Sequence, residues 1–95
     1  VNATARIAVL KFGGTSLATR DRRAVAASRV RDAREAGFAI VAVVSAMGRS
    51  PDAYATDTLL ELIASGAGGV NTDILLAAGE LIAAAVFAEE LIAHG

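Results

Sequence analysis

Lys11-Phe12-Gly13-Gly14-Thr15-Ser16 carries the chemistry most legible in this sequence. One ammonium group, two adjacent glycines and two hydroxyls follow directly on the apolar run Ile7-Ala8-Val9-Leu10. Adjacent glycines let a backbone turn sharply and approach a ligand with no Cβ in the way. A turn between a strand and a helix start suits a phosphate, because unpaired N–H groups and the helix dipole both favour an anion. The lysine precedes the glycines. The Walker lysine follows its glycines, and the dinucleotide fingerprint has a different spacing, so neither motif is present.

Three further groups invite chemistry. Ser45 begins Ser45-Ala46-Met47-Gly48-Arg49, at the end of a second apolar run. Thr56 precedes Asp57 at the start of a short apolar segment, where a helix N-cap is the ordinary reading. Glu80 follows Gly79 within a strongly apolar stretch, and a carboxylate there must meet water, a cation or a ligand. His94 suits the negative end of a helix dipole. Met47 and Tyr54 read as packing residues.

These groups need elements to hold them. Arg6–Phe12 and Ala39–Val44 read as buried parallel strands, each a short apolar run bounded by turn signals. Between them, Arg20–Glu35 places Ala24, Ala27, Val30 and Ala33 near helical spacing. Asp21 is suited to cap or stabilise its start, and Gly37 to the left-handed position that ends it. Strand, helix, strand is a βαβ unit, parallel and right-handed in nearly all cases. Lys11 and Ser45 are then expected on the same sheet edge, outside the strand ends where α/β ligands bind.

Val1–Ala5 reads as a lead-in, and a turn-rich loop containing Pro51 follows the second strand. A short helix is expected over Thr56–Ser65, broken by Gly66, Gly68 and Gly69. A long one is expected over Thr72–Ala93. Its middle, Leu81–Ala88, is apolar on all sides, the pattern of a helix buried by more than one neighbour.

Composition narrows the class. The chain has 95 residues, so one small domain at most. Its hydrophobic content of 55% is high for that size and suggests faces meant to be covered. Without cysteine there are no disulfides, thiolate metal sites or cysteine nucleophiles, and one histidine makes no histidine cluster. The net charge of −1 argues against nucleic acid. Six basic residues fall between Arg20 and Arg34, but Asp21, Asp32 and Glu35 dilute them into a solvated helix face. No signal peptide is visible and no apolar stretch reaches about 20 residues, so no membrane span is expected and the cytoplasm is the default location.

Taken in order, Lys11–Ser16, Ser45–Arg49, Tyr54–Leu60 and Asp73–Glu80 make the sequence resemble the N-terminal part of the aspartate kinases, within the amino acid kinase family. The resemblance spans roughly Arg6 to Gly95. It implies an α/β fold, the N-terminal portion of an αβα sandwich with parallel strands, with residues 1–95 an incomplete kinase domain lacking regulatory ACT domains. It implies phosphoryl transfer from ATP, with Mg²⁺, to the side-chain carboxylate of L-aspartate. Lys11, Phe12, Gly13 and Gly14 are assigned to the ATP site, with Lys11 catalytic through its charge. Ser45 approaches both the reacting phosphate and the amino acid, and Thr56 and Glu80 hold the amino acid. The resemblance assigns no metal ligand to this chain. It implies a homo-oligomeric enzyme of aspartate-family amino-acid biosynthesis, the segment by itself being inactive. Two alternatives stand beside it: another amino acid kinase acting on glutamate, acetylglutamate or a nucleotide monophosphate, or a non-catalytic segment that binds phosphate or self-associates.

Overall fold

The computed structural model describes residues 6–63 and 68–95. Strand β1 (Arg6–Phe12) leads through a 3-10 turn (Gly14–Leu17) into helix α1 (Arg20–Glu35). Strand β2 (Phe38–Val44), the short helix α2 (Thr56–Leu60) and the long helix α3 (Val70–His94) follow. The strands pair in parallel, with Lys11 opposite Val43 and Phe12 opposite Val44. The expected βαβ unit is therefore present, β2 starting at Phe38, one residue earlier than expected. Val1–Ala5, Ser65 and Gly66 lie outside the described residues.

Local chemistry accounts for the ends of α1. Thr19 caps it, its hydroxyl accepting from the Arg22 backbone N–H at 3.2 Å. Asp21 was expected to cap or stabilise this start; it lies in the first turn, where its charge favours the dipole, and Thr19 does the capping. At the other end Gly37 takes φ +101° and donates its N–H to the Arg34 carbonyl at 2.9 Å. That left-handed backbone is cheap only for glycine.

The core lies between the sheet and the helices. Phe12, Leu17, Ala26, Ala27, Val30, Met47, Ala83 and Phe87 are buried together, with Leu10, Ile40, Ala42 and Val44 packed against them. The Phe12 and Phe87 rings meet with centroids 5.2 Å apart and planes tilted by 56°, a favourable aromatic geometry. Met47 packs as expected. Tyr54 does not; half of it is exposed.

The molecule measures 50 × 28 × 16 Å, thin because one layer of helices covers one face of the sheet. On the other face Ile7 and Val9 stay 71% and 65% exposed, beside the exposed Val41 and Val43. Helix α3 corrects a second expectation. It is not buried all round: Gly79, Ala83 and Phe87, four residues apart, form its one buried stripe, while Ile74, Leu81 and Ile92 are exposed. Two layers of elements supply a neighbour on that one side only.

Candidate active site at the strand ends

Both strands end at the same edge, and their loops meet there. The Gly48 N–H donates to the Gly14 carbonyl at 2.8 Å. A Cβ on Gly14 would lie 2.5 Å from the Ala46 carbonyl oxygen and 2.9 Å from that of Gly48. Backbone cannot yield as a side chain can, so the junction requires glycine at that position. Gly48 itself takes φ +80°, and the Asp52 side chain folds over it to accept the Arg49 N–H at 3.1 Å.

Gly13 differs from its neighbour. Its φ of −74° and ψ of 170° suit any residue, and a Cβ there would meet nothing within 4 Å. Nothing in the described protein calls for glycine at this position. A ligand approaching the backbone closely would.

The 3-10 turn after Gly13 is held by arginines that the helix-face reading missed. Arg22 donates to the Thr15 carbonyl at 3.0 Å and Arg23 to the Leu17 carbonyl at 2.9 Å. From the opposite loop, Arg49 Nε reaches the Thr15 hydroxyl at 3.4 Å. Lys11 is exposed near the end of β1, on the uncovered face of the sheet. Among the described residues none of these four cations has a carboxylate partner. Arg22 and Arg49 thus both meet Thr15 without an ion-pair partner, in a junction that also holds the Asp52 carboxylate over Gly48 and Asp57 in the adjacent cleft. Arginine donors held at a glycine turn suit contact with an anion.

Beside the turn lies a cleft of about 200 Å³, lined by Gly14, Thr15, Ser45, Gly48, Arg49, Thr56 and Asp57, with Ala46 and Ala55. It brings Gly14, Ser45 and Thr56 together from three separate segments. Thr56 does not cap α2: Ala55 occupies that position and no side chain caps the helix. The Thr56 side chain is thus exposed at the cleft and takes no capping part. Arg49 and Asp57 line the cleft without having been singled out. Their signal was position, Arg49 directly after Gly48 and Asp57 directly after Thr56.

Four expected site residues do not line the cleft: Gly13 in the turn, Lys11 on the uncovered sheet face, Phe12 and Glu80. Phe12 is 8% exposed, with its ring in the core, so any contact with a ligand falls to its backbone. Glu80 is exposed and does not line the cleft. It follows Gly79, where a Cβ would meet Leu59 Cδ1 at 2.8 Å and Ala46 Cβ at 3.4 Å. Glu80 thus directly follows the residue at which α3 packs on α2 and on the loop after β2. No group of three or more potential metal-ligating side chains forms among the described residues, so the implied Mg²⁺ finds no such set here. No helix of the described residues is long and apolar enough to cross a membrane.

Comparison with known proteins gives the chain its relatives. Residues 6–95 match the amino acid kinase family. The chain is 41% identical over 93 residues to aspartokinase 1 of Bacillus subtilis, covering 95% of this chain and 23% of the relative. It is 36% identical over 89 residues to an aspartokinase of Geobacillus stearothermophilus, covering 94% and 21%. The crystal structure of aspartate kinase from Synechocystis superposes with a TM-score of 0.75 at 36% identity, covering 92% of this chain and 14% of that one. The chain thus spans less than a quarter of the length of the relatives it matches.

Proposed function

The chain belongs to the amino acid kinase family, and from that premise we propose that residues 1–95 form the N-terminal part of an aspartate kinase catalytic domain. The reaction is transfer of the γ-phosphoryl group of ATP to the side-chain carboxylate of L-aspartate. A carboxylate oxygen attacks the γ-phosphorus, the bond from that phosphorus to the β–γ bridging oxygen breaks, and ADP leaves with the electron pair. Catalysis of such a transfer rests on positioning and on compensation of charge.

The observation that carries the reading is the pair of arginines, Arg22 and Arg49, that meet Thr15 without an ion-pair partner, beside a Gly13 backbone open to close approach. In the proposed complex the phosphates lie against Gly13 and Gly14, with the Lys11 ammonium acting where negative charge concentrates. The cleft beside the turn takes the amino acid. Ser45 and Thr56 offer hydroxyls there, and Arg49 and Asp57 offer charges of both signs. Glu80, on α3, is assigned to the substrate ammonium. Mg²⁺ accompanies ATP, and no step is assigned to it on this chain. The proposed enzyme is cytoplasmic and homo-oligomeric, and serves aspartate-family amino-acid biosynthesis.

The test is ADP release by the intact enzyme carrying these residues, with aspartate, glutamate, acetylglutamate and uridine monophosphate offered separately. Aspartate-dependent release, lost in Lys11→Ala, is the expected result. Turnover with one of the others and not with aspartate moves the chain to that branch of the family.

A further inference from the structure

Arg23 stands apart from the other cations of the site. It is half-buried, does not line the cleft, and touches both loops at once. Its guanidinium donates to the Leu17 carbonyl at 2.9 Å and lies 3.7 Å from Met47 Sδ. Leu17 closes the 3-10 turn after β1 and is fully buried; Met47 belongs to the turn after β2 and is nearly so. Both contacts come from one nitrogen, Nη1, so a single donor group bridges the two loops. A half-buried charge without a carboxylate is costly unless its hydrogen bonds compensate.

We propose that Arg23 is a positioning residue. From the first turns of α1 it locks the loop after β1 against the loop after β2, so that the two ligand-bearing segments move as one. The Gly48-to-Gly14 hydrogen bond lies in the same junction and is the contact that the lock protects. Its kinetic consequence rests on the kinase reading above: phosphoryl donor and acceptor are held on different loops, and their alignment sets the rate. Misplacement by about 1 Å is enough to slow a positioned reaction about 100-fold.

The experiment compares Arg23→Met, Arg23→Lys and Met47→Leu in the intact enzyme, by steady-state kinetics and by hydrogen exchange at the Gly48 amide. In Arg23→Met, kcat is expected to fall about 10- to 100-fold, with the KM of each substrate within about threefold of wild type. Gly48 exchange should rise at least about tenfold while amides of the β1–β2 ladder keep their protection. Arg23→Lys keeps the charge and a donor on a long side chain and should restore part of both. Met47→Leu should lower kcat less and add little to Arg23→Met. Should Arg23→Met fail to fold, Arg23→Lys and Met47→Leu carry the same comparison. Unchanged kcat and Gly48 exchange in the folded variants overturn the proposal. A rise in the KM for ATP alone also overturns it, since that marks a charge effect. A wild-type enzyme without aspartate-dependent turnover instead defeats the kinase reading, and Gly48 exchange then decides the lock by itself.

Discussion

The backbone N–H of Gly48 donates to the carbonyl of Gly14 at 2.8 Å, fastening the turn that follows β1 to the turn that follows β2. The bond works because Gly14 presents no Cβ to the Ala46 and Gly48 carbonyls it faces. Adjacent glycines thus have separate duties. Gly14 serves the fold, while Gly13 leaves open space.

Replacing each by alanine separates those duties. Gly14→Ala drives a methyl group into backbone and is expected to destabilise the protein by about 1–3 kcal/mol, as overpacking does. Gly13→Ala fits its backbone angles and meets nothing, so stability should hold or rise by about 0.4–1 kcal/mol. If phosphates lie against Gly13, the same variant loses activity. Urea unfolding beside ADP-release kinetics reads both; an active Gly13→Ala enzyme would remove the ligand from that position.

Lys11 and Glu80 are both exposed, so their alanine variants should fold normally. Lys11→Ala is expected to lower kcat by about 100-fold or more, the scale of losing one charge-stabilising group in an acyl or phosphoryl transfer. Glu80→Ala is expected to raise the KM for aspartate about tenfold, equivalent to about 1.4 kcal/mol of binding, with little change in kcat. Unchanged aspartate kinetics in Glu80→Ala would return that carboxylate to plain solvent exposure.

The Thr58 hydroxyl is buried and has no hydrogen-bond partner in the described structure. An unsatisfied buried polar group costs about 1–3 kcal/mol. Thr58→Val keeps the shape and removes the hydroxyl, and should raise stability by about 1 kcal/mol in a denaturant titration. A loss of stability would mean that the hydroxyl finds a partner in solution.

The uncovered sheet face should make the 95-residue chain self-associate. Ile7, Val9, Val41 and Val43 form one exposed apolar surface, and both strands have open edges. About 400 Å² of such surface kept wet forgoes about 10 kcal/mol. Light scattering across a dilution series should show association, weakened by Val41→Lys. A folded monomer at high micromolar concentration would show that two layers suffice.

Much of the framework was legible in the order of residues. Apolar runs and the period of α1 placed β1, α1 and β2 to within a residue, and Gly37 marked the helix end, because these depend on local backbone preference and a single buried face. The parallel crossover then put Lys11 and Ser45 at the same sheet edge. What lies within a few ångströms of what came only with the packing of the elements. Thr15 and Arg49 meet across 34 positions of sequence, and Gly14 separates from Gly13 in role. Phe12 turns from the loop into the core against Phe87, and Arg22 and Arg23 leave the solvated face to hold carbonyls. Helix α3 read as buried all round because its middle is uniformly apolar, and composition cannot say how many sides have a neighbour. Such approaches follow from the strand register and from how α1 and α3 stack on the sheet, and no local propensity encodes either.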